Sequence, residues 1–349
     1  MDPDQVRILN GCELIIPLML LNRDFFTRIT GFEAKDIFKQ GVENKPIFSS
    51  YSALIFKGYK RKNLSKDTRE ISSFFWYSLI GKVIDLPQDY WPYIKGSQIT
   101  EVSFTRDKIT SALAQKLGDS LQETKVNRVF LHVNKLGDKG VICLIKSLEG
   151  TCVKTLCIRS DRKITGEKFQ ERSSIFTKKN IGTFDLSYNN FNSNYLYNFG
   201  KIFINSRVHT LNLIGCDLNF TGAYDLIKGL QGTPVYTLNL SQNNIEDKDL
   251  NNDLKDLALA LKDTNIRVTD FSNNKITLGG IHEFCDFFLT NIVEYKSYWF
   301  SFGKMDQENR IQLEKDLPNI NFDRQDLKNN IPNNEIDLIR LFLFDRDIF

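Results

Sequence analysis

His132 and Arg159 stand 27 residues apart, and with Arg106, Arg128, Phe130 and Tyr188 they form a group of side chains whose types suit a common task. Guanidinium groups beside an aromatic ring are the composition of protein contact surfaces. A Phe that a strand holds toward water also costs solubility unless a partner or the N-terminal part of the chain covers it. Covalent chemistry has less to draw on. His132, His209 and His282 keep no metal-ligand spacing, the six cysteines include no Cys-x-x-Cys pair, and no glycine loop of phosphate-cradling type occurs. No catalytic residue, metal site or cofactor is therefore expected.

The 27-residue interval is general. Val-His-Thr-Leu-Asn-Leu from Val208 and Val-Tyr-Thr-Leu-Asn-Leu from Val235 are near copies, and the same frame starts segments at Ile99, Val126, Val153, Ile181, Val208, Val235 and Ile266. Positions 1, 4, 6 and 11 are apolar in 26 of 28 cases, against roughly eleven or twelve expected from composition, with Lys163 and Thr269 the exceptions. Apolar positions 1, 4 and 6 with polar residues between them predict a short strand buried on one face. The stripes Leu136, Val141, Leu144, Ile145, Leu148 and Leu218, Ala223, Leu226, Ile227, Leu230 predict a helix after it. The longer interval before Ile266 predicts about one extra helical turn between Asp247 and Asp263. Strands stack about 4.8 Å apart, whereas packed helices need about 8 to 10 Å, so the stack bends with a parallel sheet on its concave side.

Position 9 reads Asp107, Asn134, Asp161, Asn189, Cys216, Asn243, Asn274. A turn leaving a strand inside a stack has backbone groups that no ladder reaches, and Asn offers both donor and acceptor for them. The column is read as a structural ladder, with the Cys216 turn less completely satisfied. Leu238, Leu240, Asn243 and Ile245, like Leu211, Leu213, Cys216 and Leu218, resemble the strand signature of leucine-rich repeats. The period and helical return are similar to the ribonuclease-inhibitor-like class. Over residues 99–291 the resemblance implies an α/β fold, a right-handed leucine-rich-repeat solenoid with a curved, parallel concave sheet and outer helices. Some bacterial relatives of this type carry a ubiquitin-ligase domain with a Cys-x-Asp motif; no cysteine here has Asp two residues on, so that activity is not implied.

Outside the repeats, residues 1–98 carry helical patches at Leu14–Phe38 and Thr68–Ile84 and are read as an α-rich N-terminal domain or cap, because the first repeat would otherwise expose its apolar interface. Arg69 to Ile80 faintly resembles the last helix of an F-box, which would imply a ubiquitin-ligase substrate adaptor. In residues 292–349 a degenerate strand is expected within Val293–Phe300. Helices near Gln307–Leu317 and Asn334–Phe344 would form a helical C-terminal cap in which Ile336, Ile339, Leu341, Phe342 and Leu343 pack.

Charge refines the surface. Forty-six Lys and Arg against 43 Asp and Glu leave a net +3, which excludes a polycation, but residues 99–180 hold 16 basic and 9 acidic side chains where 181–291 hold 8 and 12. The first three repeats should therefore favour a partner acidic at its contact surface, while the small polar columns from Thr183 onward read as sheet surface facing water. Nucleic acid is disfavoured, since Phe130 and His132 are the only rings in the basic cluster. The longest apolar run, Leu14 to Leu21, contains Pro17 and is too short to span a bilayer, and the acidic Met1 to Asp4 start does not resemble a secretory signal. With its cysteine usage, a reducing cytosolic compartment is expected. The expectation is a monomeric, non-enzymatic protein–protein interaction scaffold that works through its concave face. The Asn, Ile, Lys and Phe richness of a solenoid between compact ends resembles leucine-rich-repeat effectors of intracellular bacteria of the Legionella type. That resemblance implies a host protein as partner and delivery into host cytosol. The alternatives are the adaptor reading, and RNA or an anionic membrane bound through the basic half.

Overall fold

A computed structural model describes residues 82–84, 88, 91, 94–95, 99–105, 109–161, 163–169, 175–247, 254–291, 298–302, 307–316 and 339–342. Among them run ten strands: β1 (Lys82–Ile84), β2 (Glu101–Thr105), β3 (Arg128–His132), β4 (Thr155–Arg159), β5 (Thr183–Asp185), β6 (Thr210–Asn212), β7 (Thr237–Asn239), β8 (Val268–Asp270), β9 (Tyr298–Ser301) and β10 (Ile339–Phe342). They form one sheet in strict chain order with every neighbouring pair parallel. The described helices are α1 (Ser111–Ser120), α2 (Gly137–Ser147), α3 (Leu196–Lys201), α4 (Phe220–Gly229), α5 (Leu254–Lys262), α6 (Leu278–Asn291) and α7 (Gln307–Asp316). A strictly sequential parallel sheet whose connections return through helices is an α/β solenoid.

The alternation of side chains along each strand builds the core. Val102 and Phe104, Val129 and Leu131, Leu156 and Ile158, Phe184 and Leu186, Leu211 and Leu213, and Leu238 and Leu240 point to the helix side and are buried. Helix residues such as Leu144, Ile145, Leu226 and Ile227 meet them there. Lys163 is exposed because the frame slips by one residue in its repeat, and Ile164 enters the core instead. Behind β4 and β5 the helical return shrinks to 3-10 turns at Glu167–Phe169 and Ser193–Tyr195 and the six-residue α3. Large rings fill that space: Phe169 meets Phe199 edge to face at 5.5 Å, and Phe176 lies 5.1 Å from Phe203.

Four of the returns close onto the next strand through a threonine hydroxyl. Thr124, Thr151, Thr233 and Thr264 donate to the carbonyls of Leu121, Leu148, Leu230 and Leu261 at 2.7–2.8 Å. Three of them also accept from the first core residue of the coming strand, Val126, Val153 or Ile266. The residue before this hydroxyl column is left-handed at Glu123, Gly150 and Gly232, which ends each helical return.

The flanks differ from the helical expectation. Residues 82–84 are strand β1, not the end of a helix from Thr68, since β2 would otherwise leave its ladder groups unpaired at the sheet edge. Residues 339–342 are strand β10, where a helix from Asn334 to Phe344 is expected. The alternation in Ile339-Arg340-Leu341 suits a strand against the β9 edge better than a helical face. The expected strand within Val293–Phe300 occurs as β9, and the expected helix at Gln307–Leu317 as α7. At the N-terminal end Trp91 and Ile94 are buried, with Trp91 edge to face against Phe104 at 5.6 Å. The Leu14–Phe38 patch, the Arg69–Ile80 segment, and the expected packing of Ile336 and Leu343 lie outside the described residues.

Candidate interaction surface

The turns that leave the strands are tied by the position-9 side chains. Asn134 Oδ1 accepts from the Ile109 N–H and its Nδ2 donates to the Phe104 and His132 carbonyls at 2.9–3.1 Å. Asn189 repeats this on Asp161, Ile158 and Leu186, Asn243 on Cys216, Leu218, Leu213, Leu240 and Ser241, and Asn274 on Ile245, Leu240, Phe271 and Ser272. Asp161 accepts from Leu136, Gly137 and Lys163 N–H groups and has no proton for a carbonyl. Burial raises its pKa, against those three bonds. Cys216 donates to the Leu186 and Ile214 carbonyls at sulfur distances of 3.3 and 3.6 Å. Asp107 and Arg106 lie outside the described residues.

Register gathers the remaining site residues on β2 to β5. Arg128 lies beside Glu101 and Thr155, Phe130 beside Ser103 and Cys157, and His132 beside Thr105 and Arg159. Phe130 and His132 are half-buried and stack with rings 7° from parallel and 6.1 Å apart. The arginines are held by carboxylates of the same face: Arg128 Nε is 2.9 Å from Glu101, and Arg159 reaches Asp185 through Nε at 2.8 Å and Nη2 at 2.5 Å. Among the described residues of this cluster neither arginine is left unmatched. Arg128 and Arg159 are each neutralised within the sheet, a pairing that follows from register and that net charge over a stretch of sequence does not reveal.

Cys157, His132 and Asp185 bring a thiol, an imidazole and a carboxylate into one neighbourhood, but not in a nucleophile's arrangement. Burial, then the charge of Asp185, pushes the Cys157 thiol up to about 12, so it stays protonated. Burial and then the Arg159 charge hold His132 below its ordinary pKa, with Asp185 opposing them.

Beyond β4 only part of the face meets water as its composition suggests: Thr183, Thr210 and Thr237 are half-buried, but the column beside them is not exposed. Asp185, Asn212, Asn239 and Asp270 stand in register on β5 to β8 and are all buried, as are Ser187 and Ser241. Small polar side chains pack here because each carboxylate or amide can close on its own strand end. Ser187 N–H donates to Asp185, Ser241 N–H to Asn239 and Ser272 N–H to Asp270, all at 2.9 Å. Asn212 lacks this bond, and its Oδ1 is buried without a partner.

Val133, Ser160, Tyr188, Gly215, Gln242 and Asn273 share a left-handed backbone, φ 53–61°, at the position just after each strand. Glycine and asparagine tolerate this; a β-branched or aromatic residue does so at a cost. Val133 and Tyr188 are nonetheless 51% and 45% exposed. Tyr188 lies across Gly215, where a Cβ would meet its ring at 2.7 Å, and its hydroxyl reaches Gln242 Oε1 at 3.3 Å. Val133 was not among the expected contact residues. The signal for it was present, a valine in the column that holds Gly, Gln and Asn elsewhere.

No protein-family model matches the chain, and no curated protein matches it. Among solved structures it is similar to an internalin from Listeria monocytogenes, with 12% identity, 76% of this chain and 74% of that one covered, and a TM-score of 0.33. Among the described residues no helix is long and apolar enough to cross a membrane, and no His, Cys, Asp and Glu group is arranged to hold a metal ion.

Proposed function

We propose that the chain is a non-enzymatic protein–protein interaction scaffold, a monomer that holds a protein partner on the sheet face at β3 to β5. What carries this reading is the pair Val133 and Tyr188: two bulky, half-exposed side chains kept on left-handed backbone, where Asn or Gly would be less strained and more soluble. Val133 follows His132, whose ring stacks on Phe130, and the half-exposed Arg128 and Arg159 stand on β3 and β4, so aromatic area and oriented guanidinium groups share those two strands. Because both arginines are already paired, an acidic partner would compete with Glu101 and Asp185, and apolar contact is the larger contribution. The right-handed sense of the solenoid, the capping role of both ends, and repeats at residues 99–291 between flanks 1–98 and 292–349 belong to the same proposal. In its finer form the chain is an effector of an intracellular bacterium and the partner a host protein in the cytosol, a reading that rests on composition.

Affinity capture from host-cell lysate tests the surface, with wild type compared to Val133→Asn, Tyr188→Asn and the pair Arg128→Glu with Arg159→Glu. The expected result is a partner lost by Val133→Asn and Tyr188→Asn while each melts at or above the wild-type temperature. Undiminished capture by both would move the interface elsewhere.

A further inference from the structure

Asn212 is the one member of the buried polar row whose amide is idle. On one side Asp185 accepts four hydrogen bonds, from Arg159 Nε and Nη2 and from Ser187 N–H and Oγ. On the other, Asn239 accepts from Ser241 N–H and donates toward Asp270. Asn212 is 7% exposed, stands in register between them, and its Oδ1 has no partner. At the position two residues on, where Ser187, Ser241 and Ser272 supply the closing N–H to their strands, β6 has Ile214 and the bond is missing. A buried, unmade hydrogen bond is a standing penalty that a ligand relieves by making it.

We propose that Asn212 is the polar anchor of the sheet face and takes one peptide group of an extended partner segment, accepting from its N–H and donating to its carbonyl. This rests on the reading of the face as a protein-binding surface and names the chemistry it recognises. The charge of the floor selects the ligand. Asp185 is neutralised by Arg159, and the next two members of the row are neutral amides, so from β5 to β7 the floor carries no net charge. A phosphate or an ammonium group would leave its charge unmatched there, whereas a peptide group presents one donor and one acceptor to an amide that presents the same. The Asn side-chain torsion nearest the amide is broad, and no hydrogen bond restrains it, so the amide can turn toward an arriving segment. Tyr188, bridging the rim above β6 to Gln242, supplies the ring against which such a segment packs.

The probe is a random dodecapeptide phage library selected on the immobilised full-length chain, with the selected peptides then titrated against wild type, Asn212→Ala, Val133→Asn and Tyr188→Asn. Asn212→Ala removes no hydrogen bond and takes away a buried oxygen that has none, so its melting temperature should stand at or above that of wild type. Its affinity for the peptides should fall at least about tenfold, the size of one buried bond left unmade. N-methylation of one peptide nitrogen should weaken binding to wild type by a similar factor and leave binding to Asn212→Ala almost unchanged. Peptides that bind Asn212→Ala as tightly as wild type overturn the anchor. If the same peptides are lost by Val133→Asn or Tyr188→Asn, the surface itself still stands; if no variant weakens them, both readings fall. Failure to select any peptide also overturns the anchor, leaving the lysate capture to judge the surface.

Discussion

Arg159 is anchored to Asp185 through two guanidinium nitrogens, and so fixes a positive charge beside His132, its register partner on β3. Burial and that charge both disfavour the imidazolium, and His132 has its pKa lowered from the ordinary 6.5. The unfolded chain therefore binds the proton more readily than the folded one. Stability from this group is complete above the unfolded value, declines as pH falls from there toward the folded value, and is level below it. A proton-detected titration should show the His132 imidazole more than half neutral at pH 6.5, and His132→Gln should flatten the stability profile in that window. A His132 that titrates at or above its ordinary value would remove this account of the β3–β4 surface.

Val133 has φ +53° and a side chain half in water, so its replacement by Asn removes strain without losing burial. Urea unfolding should show Val133→Asn more stable than wild type by about 1 kcal/mol. A destabilised variant would mean that the valine packs in a way its exposure does not suggest.

Thr269 occupies a core position on β8, between Leu238 and Phe300 in register, with its hydroxyl oxygen buried and unbonded. Valine has nearly the same shape and nothing to leave unsatisfied. Thr269→Val should raise stability by about 1 to 2 kcal/mol by the same measurement, and equal or lower stability would show that the hydroxyl finds a partner in solution.

The strand and core columns were legible because burial on one face of a strand writes a period of two, and the helix after it a period of 3.6, directly into residue type. Thr269 and Lys163 are instructive as the two exceptions: one is a buried defect, and the other marks a one-residue slip that places Ile164 in the core. The polar floor was not legible. Asp185, Asn212 and Asn239 have the composition of a wet surface, and only the fold shows that they are buried side by side, Asp185 and Asn239 bonded and Asn212 not. The ion pairs of Arg128 and Arg159 escaped for the same reason, since a charge count over a stretch of chain does not know which strand lies beside which. The end strands β1 and β10 were read as helix because three or four residues are too few for periodicity to separate the two.

Among the described cysteines, Cys143 and Cys152 are exposed while Cys157, Cys216 and Cys285 are buried. Burial pushes the thiols of Cys157 and Cys216 up to about 12, and that of Cys285 also up. Since the thiolate is the reacting form, iodoacetamide at pH 8 should modify Cys143 and Cys152 in the native protein and the other three only after denaturation. Peptide mapping that finds Cys157 alkylated under native conditions would contradict its burial between strands β3 and β5.

Gly229 at the end of α4 lies against the backbone of α3: a Cβ there would stand 2.1 Å from the Tyr197 carbonyl oxygen and 3.2 Å from Gly200 Cα. Gly200 is equally confined, with the Gly229 carbonyl carbon 2.7 Å from its own would-be Cβ. These are backbone atoms, which cannot move aside as a side-chain end can, so the two short helices touch through their main chains and one added methyl must push the repeats apart. Gly232 is the control. It has φ +73° but open space around it, so Gly232→Ala should cost only the local strain, about 1 kcal/mol. Gly229→Ala should cost more, about 2 to 3 kcal/mol, because overpacking between two repeats adds to the ordinary helix preference for Ala, which alone would stabilise. If urea unfolding ranks the two the other way round, the close approach of α3 and α4 is wrong, and with it the spacing of the β5 and β6 strands that those helices support.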